Sequence, residues 1–437
     1  MSRHPAVALL ALLGLVALVA RADDAGRDAR VASIRRDLEK LRGVKFRDEV
    51  AVEQQSIDAF RSYVDRSIVE QVPEERLASF GKIVEKLGLY RGPRLENYRE
   101  TVTELMATQA IAYYDPQRAT FSVVMTDLPD SVLDPTFAHE LYHALQDQRH
   151  DLEAYYLSGD TTRALDDDAL LARQAVVEGE ATYVMTLWSI ESQLGQRPER
   201  AVLSPMIRMQ AAMDTATIAK MLEQSAQLGM GSDMASAARA MTELPPFLIE
   251  TLMGAYLKGM SFVFDVHADG WDRVDALYTD PPVSTEQILH PEKWRAHERP
   301  LRYTWPDLAQ HPATKGWNVL DSNVVGELQL RIVFTEHDVP GYAAARIAAG
   351  WDGDAYTVLE QRDGDALLLL WATSWDDAEQ AAEFETAYRK LLAKKYPEGG
   401  EVTRVVARGK DVWIVEGGAE SDADARVELL AGLSRER

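Results

Sequence analysis

The chain has no cysteine. That excludes disulfide staples, thiolate nucleophiles, cysteine metal ligands and a lipid anchor carried on a cysteine, so any metal must be held by histidine and carboxylate. Positive charge is also scarce: 47 lysines and arginines face 70 acidic residues, a formal net charge of −23. Such a field repels nucleic acid and anionic membrane surfaces and disfavours polyanionic substrates. Long apolar runs are few. The run near the start, Ala6 to Ala20, falls short of the roughly 18 to 20 residues that reliably span a bilayer. It follows Arg3 and His4 and ends in Ala20-Arg21-Ala22, the small-x-small form of a signal-peptidase site. Residues 1–22 are therefore read as a signal peptide. The mature protein, beginning at Asp23, is expected to be secreted, periplasmic or in the cell envelope, without stable membrane insertion.

What is present is ordinary for a globular protein, with 46% hydrophobic residues, and 437 residues predict two domains. From about Arg27 to Ala110 the apolar residues fall at helical spacing, as in Ile34, Leu38 and Leu41. Gly88 to Pro93 interrupts them with turn residues. Ile111 to Asp115 and Ala119 to Met125, rich in β-favouring side chains, predict a hairpin. Further helices are expected through 201–226 and 247–266. From about Asp321 the pattern changes: a helix over Gly341–Ala349, a tight loop Gly350–Asp354 opening a strand to Gln361, a turn at Arg362–Asp365, an apolar strand to Trp375, a helix over Asp377–Lys395 and two short strands about Arg408-Gly409-Lys410. The expected class is α+β and mainly helical, with residues 23–320 as a helical domain carrying a small hairpin or sheet and residues 321–437 as a smaller α+β domain.

One stretch carries chemistry. His139-Glu140-Leu141-Tyr142-His143 has the form H-E-x-x-H; two histidines four apart on a helix project from one face, with the glutamate at its edge. Asp134 and Pro135 are placed to start that helix, and Phe137, Leu141, Ala144 and Leu145 give it an apolar side. Two imidazoles can hold zinc, a third protein ligand must come from elsewhere, and an open position leaves room for a water that Glu140 can deprotonate. Asp147, four residues past His143, is the expected second partner of a ligating imidazole. His150 lies about 10 Å along the axis from His143, too far to join it.

The third ligand is sought in a helix over Leu170–Trp188, which contains Glu178-Gly179-Glu180-Ala181. A glycine inside a helix costs about 1 kcal/mol relative to alanine and marks close approach of another element, expected here to be the H-E-x-x-H helix. Glu178 is the expected ligand, with Glu180, pointing nearly the opposite way, as its rival. Further on, Ser284 and Gln287 have capping-box spacing before Ile288 and Leu289. The turn they start presents His290, read either as a donor to a developing oxyanion or, with Glu286, as a tie between loop and helices.

An H-E-x-x-H helix followed by a helix carrying E-G-x-A resembles the gluzincin metallopeptidases, among them aminopeptidases with N-E-G-F-A and clostridial collagenases with E-E-G-L-A. The resemblance implies a zincin-like catalytic domain and makes the glutamate before the glycine, Glu178, a zinc ligand. More closely, Tyr113-Tyr114-Asp115-Pro116, HELYHALQDQ from His139 to Gln148, Glu178 to Ala181 and PPVSTEQILHP from Pro281 to Pro291 resemble a group of exported bacterial and archaeal proteins. No G-x-M-E-N type motif for a free amino terminus is present, which points away from exopeptidase action. The expectation is an exported zinc-dependent endopeptidase acting on peptide or protein substrates, with Zn2+ on His139, His143 and Glu178, Glu140 as general base and His290 assisting. The alternatives are a zinc amidohydrolase acting on a non-peptide amide and a zinc-stabilised envelope binding protein without turnover. Glu140 favours the enzymes, because a structural zinc usually has four protein ligands and no use for such a base.

Overall fold

In the computed structural model of the protein the described residues are 24–109, 111–124, 130–157, 165–213, 217, 220, 224 and 244–437. The expected signal peptide lies outside them, as does most of 214–226 in the expected helical stretch 201–226. The fold is mainly helical α+β. Of the described residues, those up to Val72, within 99–164 and within 172–282 form one unit; Pro73–Tyr98, Leu165–Leu171 and Val283–Arg437 form a second. The second unit thus takes in residues 283–320, which composition alone had grouped with the first. The reason is strand pairing, because two of its strands begin before Asp321.

In the first unit, the helix Asp24–Arg42 buries Val31, Ile34, Leu38 and Leu41 and packs on the helix Asp130–His150. Arg30 Nε reaches Asp134 Oδ1 at 3.0 Å, so Asp134 is an ion-pair partner one turn inside the helix; the helix starts at Asp130, and Pro135 lies within it. A three-stranded sheet sits beside this helix. Strand β1 (Ala51–Gln54) runs parallel to β3 (Thr120–Val123), which pairs antiparallel with β2 (Ala112–Asp115) in the order β1-β3-β2. The expected hairpin is therefore β2–β3, its turn held by Asp115 Oδ1 accepting from the backbone N–H of Gln117 at 3.0 Å. Phe121 meets Phe137 edge-on, ring centres 5.1 Å apart, joining sheet to helix.

Two long helical segments belong to the first unit beside shorter helices such as Ile57–Gln71 and Arg200–Ala212. One is Asp167–Leu194, from Ala172 onward. The other runs from Pro246 to Asp269; it is long and apolar enough to cross a membrane, but 67% of its most apolar window is buried inside the protein, as in a core helix.

In the second unit, β5 (Trp317–Asn323), β6 (Trp351–Gln361), β7 (Leu367–Trp375), β8 (Thr403–Arg408) and β9 (Asp411–Glu416) form an antiparallel sheet in the order β5-β6-β7-β9-β8. Both faces are covered, which explains why β7 is apolar from Leu367 to Ala372 rather than alternating. Leu368, Leu370 and Ala372 join the core containing Val427, Leu430 and Leu433. On the other face, Trp371 and Trp375 lie 6.2 and 4.5 Å from the Phe384 ring. Phe384 belongs to the helix Ala378–Lys395, capped by Asp377.

One sequence expectation is corrected here: Gly350–Asp354 is not a loop, since β6 begins at Trp351 and absorbs the stretch with a bulge between Trp351 and Gly353. Asp354 is fully used, accepting from the N–H groups of Val325 and Gly326 at 2.9 Å and from Trp351 Nε1 at 2.8 Å. It thereby holds the start of the helix Gly326–Glu336. Two short strands of the same unit, Arg302–Thr304 and Ser434–Glu436, pair antiparallel with each other.

Candidate metal centre

The i, i+4 spacing on the helix Asp130–His150 brings His139 and His143 to one level, with ring centres 4.6 Å apart and planes at 87°. Their Nε2 atoms are 3.0 Å apart. Glu178, from the helix Asp167–Leu194, brings Oε2 to 3.2 Å from His139 Nε2 and 3.4 Å from His143 Nε2. A tetrahedral ion with bonds of about 2.05 Å separates its ligand atoms by about 3.3 Å. The three atoms therefore form one triangular face of such a site. The donor set, two imidazoles and one carboxylate with no thiolate, fits a divalent cation such as zinc.

The electrostatics agree with the geometry. Burial alone would raise Glu178 and lower His143. Instead, the charge of His143 holds the Glu178 carboxyl below its usual range, and Glu178 lifts His143 above its own. His139 is lowered by burial.

Glu140 is 2% exposed, and its Oε2 accepts from the backbone N–H of Tyr114 at 3.0 Å. The edge strand β2 thus anchors the glutamate. Burial raises the Glu140 carboxyl to about 8. Tyr114 is itself fixed, its hydroxyl donating to Asp147 Oδ2 at 2.8 Å, while Asp147 Oδ1 accepts from Leu152 N at 3.0 Å. Asp147 therefore supports Tyr114 and not a histidine, contrary to the sequence expectation.

The partner of His143 is Gln146, whose Oε1 lies 2.8 Å from His143 Nδ1. Its position three residues on already places it beside His143 on a helix, a signal that the reading of Asp147 passed over. Glu180 points away from Glu178, as two residues on a helix dictate, but it is not solvated. It is fully buried, with Oε1 taking Tyr142 OH at 2.6 Å and Arg42 Nη2 at 3.1 Å, and Oε2 taking Tyr278 OH at 2.7 Å and Gln146 Nε2 at 3.0 Å.

The glycine of the Glu178-Gly179-Glu180 stretch marks a close approach, but to a different element from the one expected. A Cβ on Gly179 would lie 2.2 Å from the carbonyl carbon of Gly259, and one on Gly259 would lie 2.1 Å from Ala175 O. The two helices cross there on bare backbone. Just before Gly259 comes a single π turn, Gly254–Lys258, a device frequent at functional sites. It sets the Tyr256 ring parallel to His139 at 5.6 Å.

His290 is not among the converging residues. It lies in the second unit after the turn Thr285–Leu289, which Ser284 caps, and its Nε2 is 3.0 Å from the buried Glu327 carboxylate. Glu286 pairs with Lys293 at 2.6 Å. Both contacts are those of the loop-tying alternative.

A family model described as "Domain of unknown function (DUF8575)" matches residues 318–429. That stretch contains none of the four converging residues. No curated protein and no solved structure matches the chain.

Proposed function

We propose that the protein is an exported zinc-dependent metallopeptidase of gluzincin type, an endopeptidase, with His139, His143 and Glu178 holding the ion and Glu140 as general base. The observation that carries the reading is the convergence of two imidazole nitrogens and one carboxylate oxygen at 3.0, 3.2 and 3.4 Å, with a second carboxylate, Glu140, within 4.8 Å of the imidazoles. A zinc ion bound there supplies Lewis acidity, acidifying water and polarising a carbonyl. Glu140, held through one oxygen by Tyr114, has its other oxygen to accept the proton of an attacking water and deliver it to the leaving amine. The order of the motifs and the resemblance they carry support the same reading, as does an acidic surface unsuited to nucleic acid.

One observation favours a second reading, a zinc-stabilised envelope binding protein without turnover. His139, Glu140, His143 and Glu178 are only 5, 2, 4 and 3% exposed, which suits a sealed site better than an open cleft. The deciding experiment is digestion of a peptide library by the zinc-loaded protein, with and without chelator and with Glu140→Gln. Cleavage lost by chelation and in Glu140→Gln is expected. Zinc binding without any cleavage, and a protein partner held equally by wild type and Glu140→Gln, would replace the peptidase reading with the binding one.

A further inference from the structure

The polar residues behind the candidate centre form a chain whose donor and acceptor ends can be assigned. Arg42 has donors only, and its Nε lies 2.5 Å from Tyr142 OH, so that hydroxyl accepts from Arg42 and must spend its single proton on Glu180, 2.6 Å away. Tyr278 OH likewise donates to Glu180, at 2.7 Å. The Gln146 Nε2 then lies near three acceptors, which its two N–H groups share: Val177 O at 3.0 Å, Glu180 Oε2 at 3.0 Å and Tyr278 OH at 2.7 Å. Only its NH2 end can face them. Its carbonyl is left pointing at His143, where it can accept and cannot donate.

We infer that Gln146 is a positioning residue for the metal centre, set by Arg42 and Glu180 so that His143 must carry its proton on Nδ1 and present the Nε2 lone pair to a divalent cation. A flipped amide would offer a donor to Nδ1 and would favour the wrong tautomer, in which Nε2 bears the proton and cannot bind metal. The chain also gives the N-terminal helix a part in the site, because Arg42 is its last residue. Arg42 is held over the Trp271 ring at 4.1 Å and by Asp275 at 2.5 Å, so the cation that orients the amide is itself fixed.

The inference rests on the metal-centre reading above, and the test separates the two. Zinc affinity is measured by competition with a chromophoric chelator for wild type, Gln146→Leu and the exchange Gln146→Glu/Glu180→Gln, alongside the melting temperature of each metal-free protein. The exchange keeps an acceptor facing His143 Nδ1 and a donor–acceptor pair between positions 146 and 180, but Tyr278 OH must turn to position 146 and Val177 O loses its amide donor. Expected is a loss of about 10- to 100-fold in zinc affinity for Gln146→Leu, and partial recovery in the exchange, since a carboxylate accepts from Nδ1–H at least as well as an amide. If Gln146→Leu binds zinc as tightly as wild type, Gln146 is merely structural and the inference fails while the metal-centre reading stands. If wild type binds no zinc, both fall. Should Gln146→Leu not fold, imidazole 15N shifts of zinc-loaded wild type decide: a proton on His143 Nδ1 supports the inference, and a metal-bound Nδ1 overturns it.

Discussion

Gly179 and Gly259 touch through their backbones, with no room for a side chain on either. Gly179 sits between Glu178 and Glu180, so the crossing sets the position of the helix that supplies both the candidate ligand and the anchor of Gln146. In Gly179→Ala, helix propensity would improve by about 1 kcal/mol, but the new methyl has nowhere to go. A net destabilisation of about 1–3 kcal/mol is expected from overpacking, with weaker zinc binding because Glu178 shifts with its helix. Denaturant melts and zinc titration check it; an unchanged or raised stability would mean that the helices separate freely.

Arg42 and Glu180 are 1 and 0% exposed in their side chains. Removing the cation leaves a buried carboxylate with hydrogen bonds but no counter-charge. Arg42→Met is therefore expected to cost about 3–5 kcal/mol, read as a drop in the denaturant midpoint. A cost below about 1 kcal/mol, the range of exposed pairs, would show that the pair is not buried in solution.

Metal removal gives a third prediction. Zinc in thousandfold excess over its dissociation constant should stabilise the folded protein by about 4 kcal/mol. Wild type and Glu140→Gln should both show this rise in melting temperature, and His143→Ala should not. An equal rise in all three proteins would place the bound zinc elsewhere.

His337, in the second unit, makes stability depend on pH. It is fully buried, its Nδ1–H donates to Val333 O at 2.8 Å, and burial pushes its pKa down to about 4. The unfolded chain takes up a proton near the ordinary value of 6.5, which the folded chain resists. Its stabilising contribution is therefore complete above about pH 6.5 and is lost as the pH falls toward about 4, a change of roughly 1–2 kcal/mol after allowing for screening. Asp354 acts in the opposite sense, since burial raises it to about 6, so the comparison is between wild type and His337→Gln at each pH. The variant should show a flatter decline between pH 6.5 and 4, and parallel curves would dismiss His337 as the source.

The sequence alone determined the helix that carries His139, Glu140 and His143, because an i, i+4 spacing is a local property of 3.6 residues per turn. It also separated Glu178 from Glu180, since residues two apart on a helix face opposite ways. The apolar run of β7, the helix beginning near Asp377 and the turn between β6 and β7 were legible for the same reason: each depends on neighbours in the chain.

Only the tertiary structure decided what meets what. Gly179 announced a close approach, but its partner is Gly259, since a missing Cβ records that space is needed and not which helix fills it. Asp147 and Gln146 were both within reach of His143, and the choice fell to Gln146 because Glu180, Tyr278 and Val177, distant in sequence, gather round its amide. His290 sits beside Glu327, a pairing no local pattern specifies. Asp354 looked like a loop residue until the N–H groups of Val325 and Gly326 gave its buried carboxylate partners. Periodicity reports which face of an element is buried, but the partner of a buried polar group is chosen by long-range packing, which one-dimensional spacing does not encode.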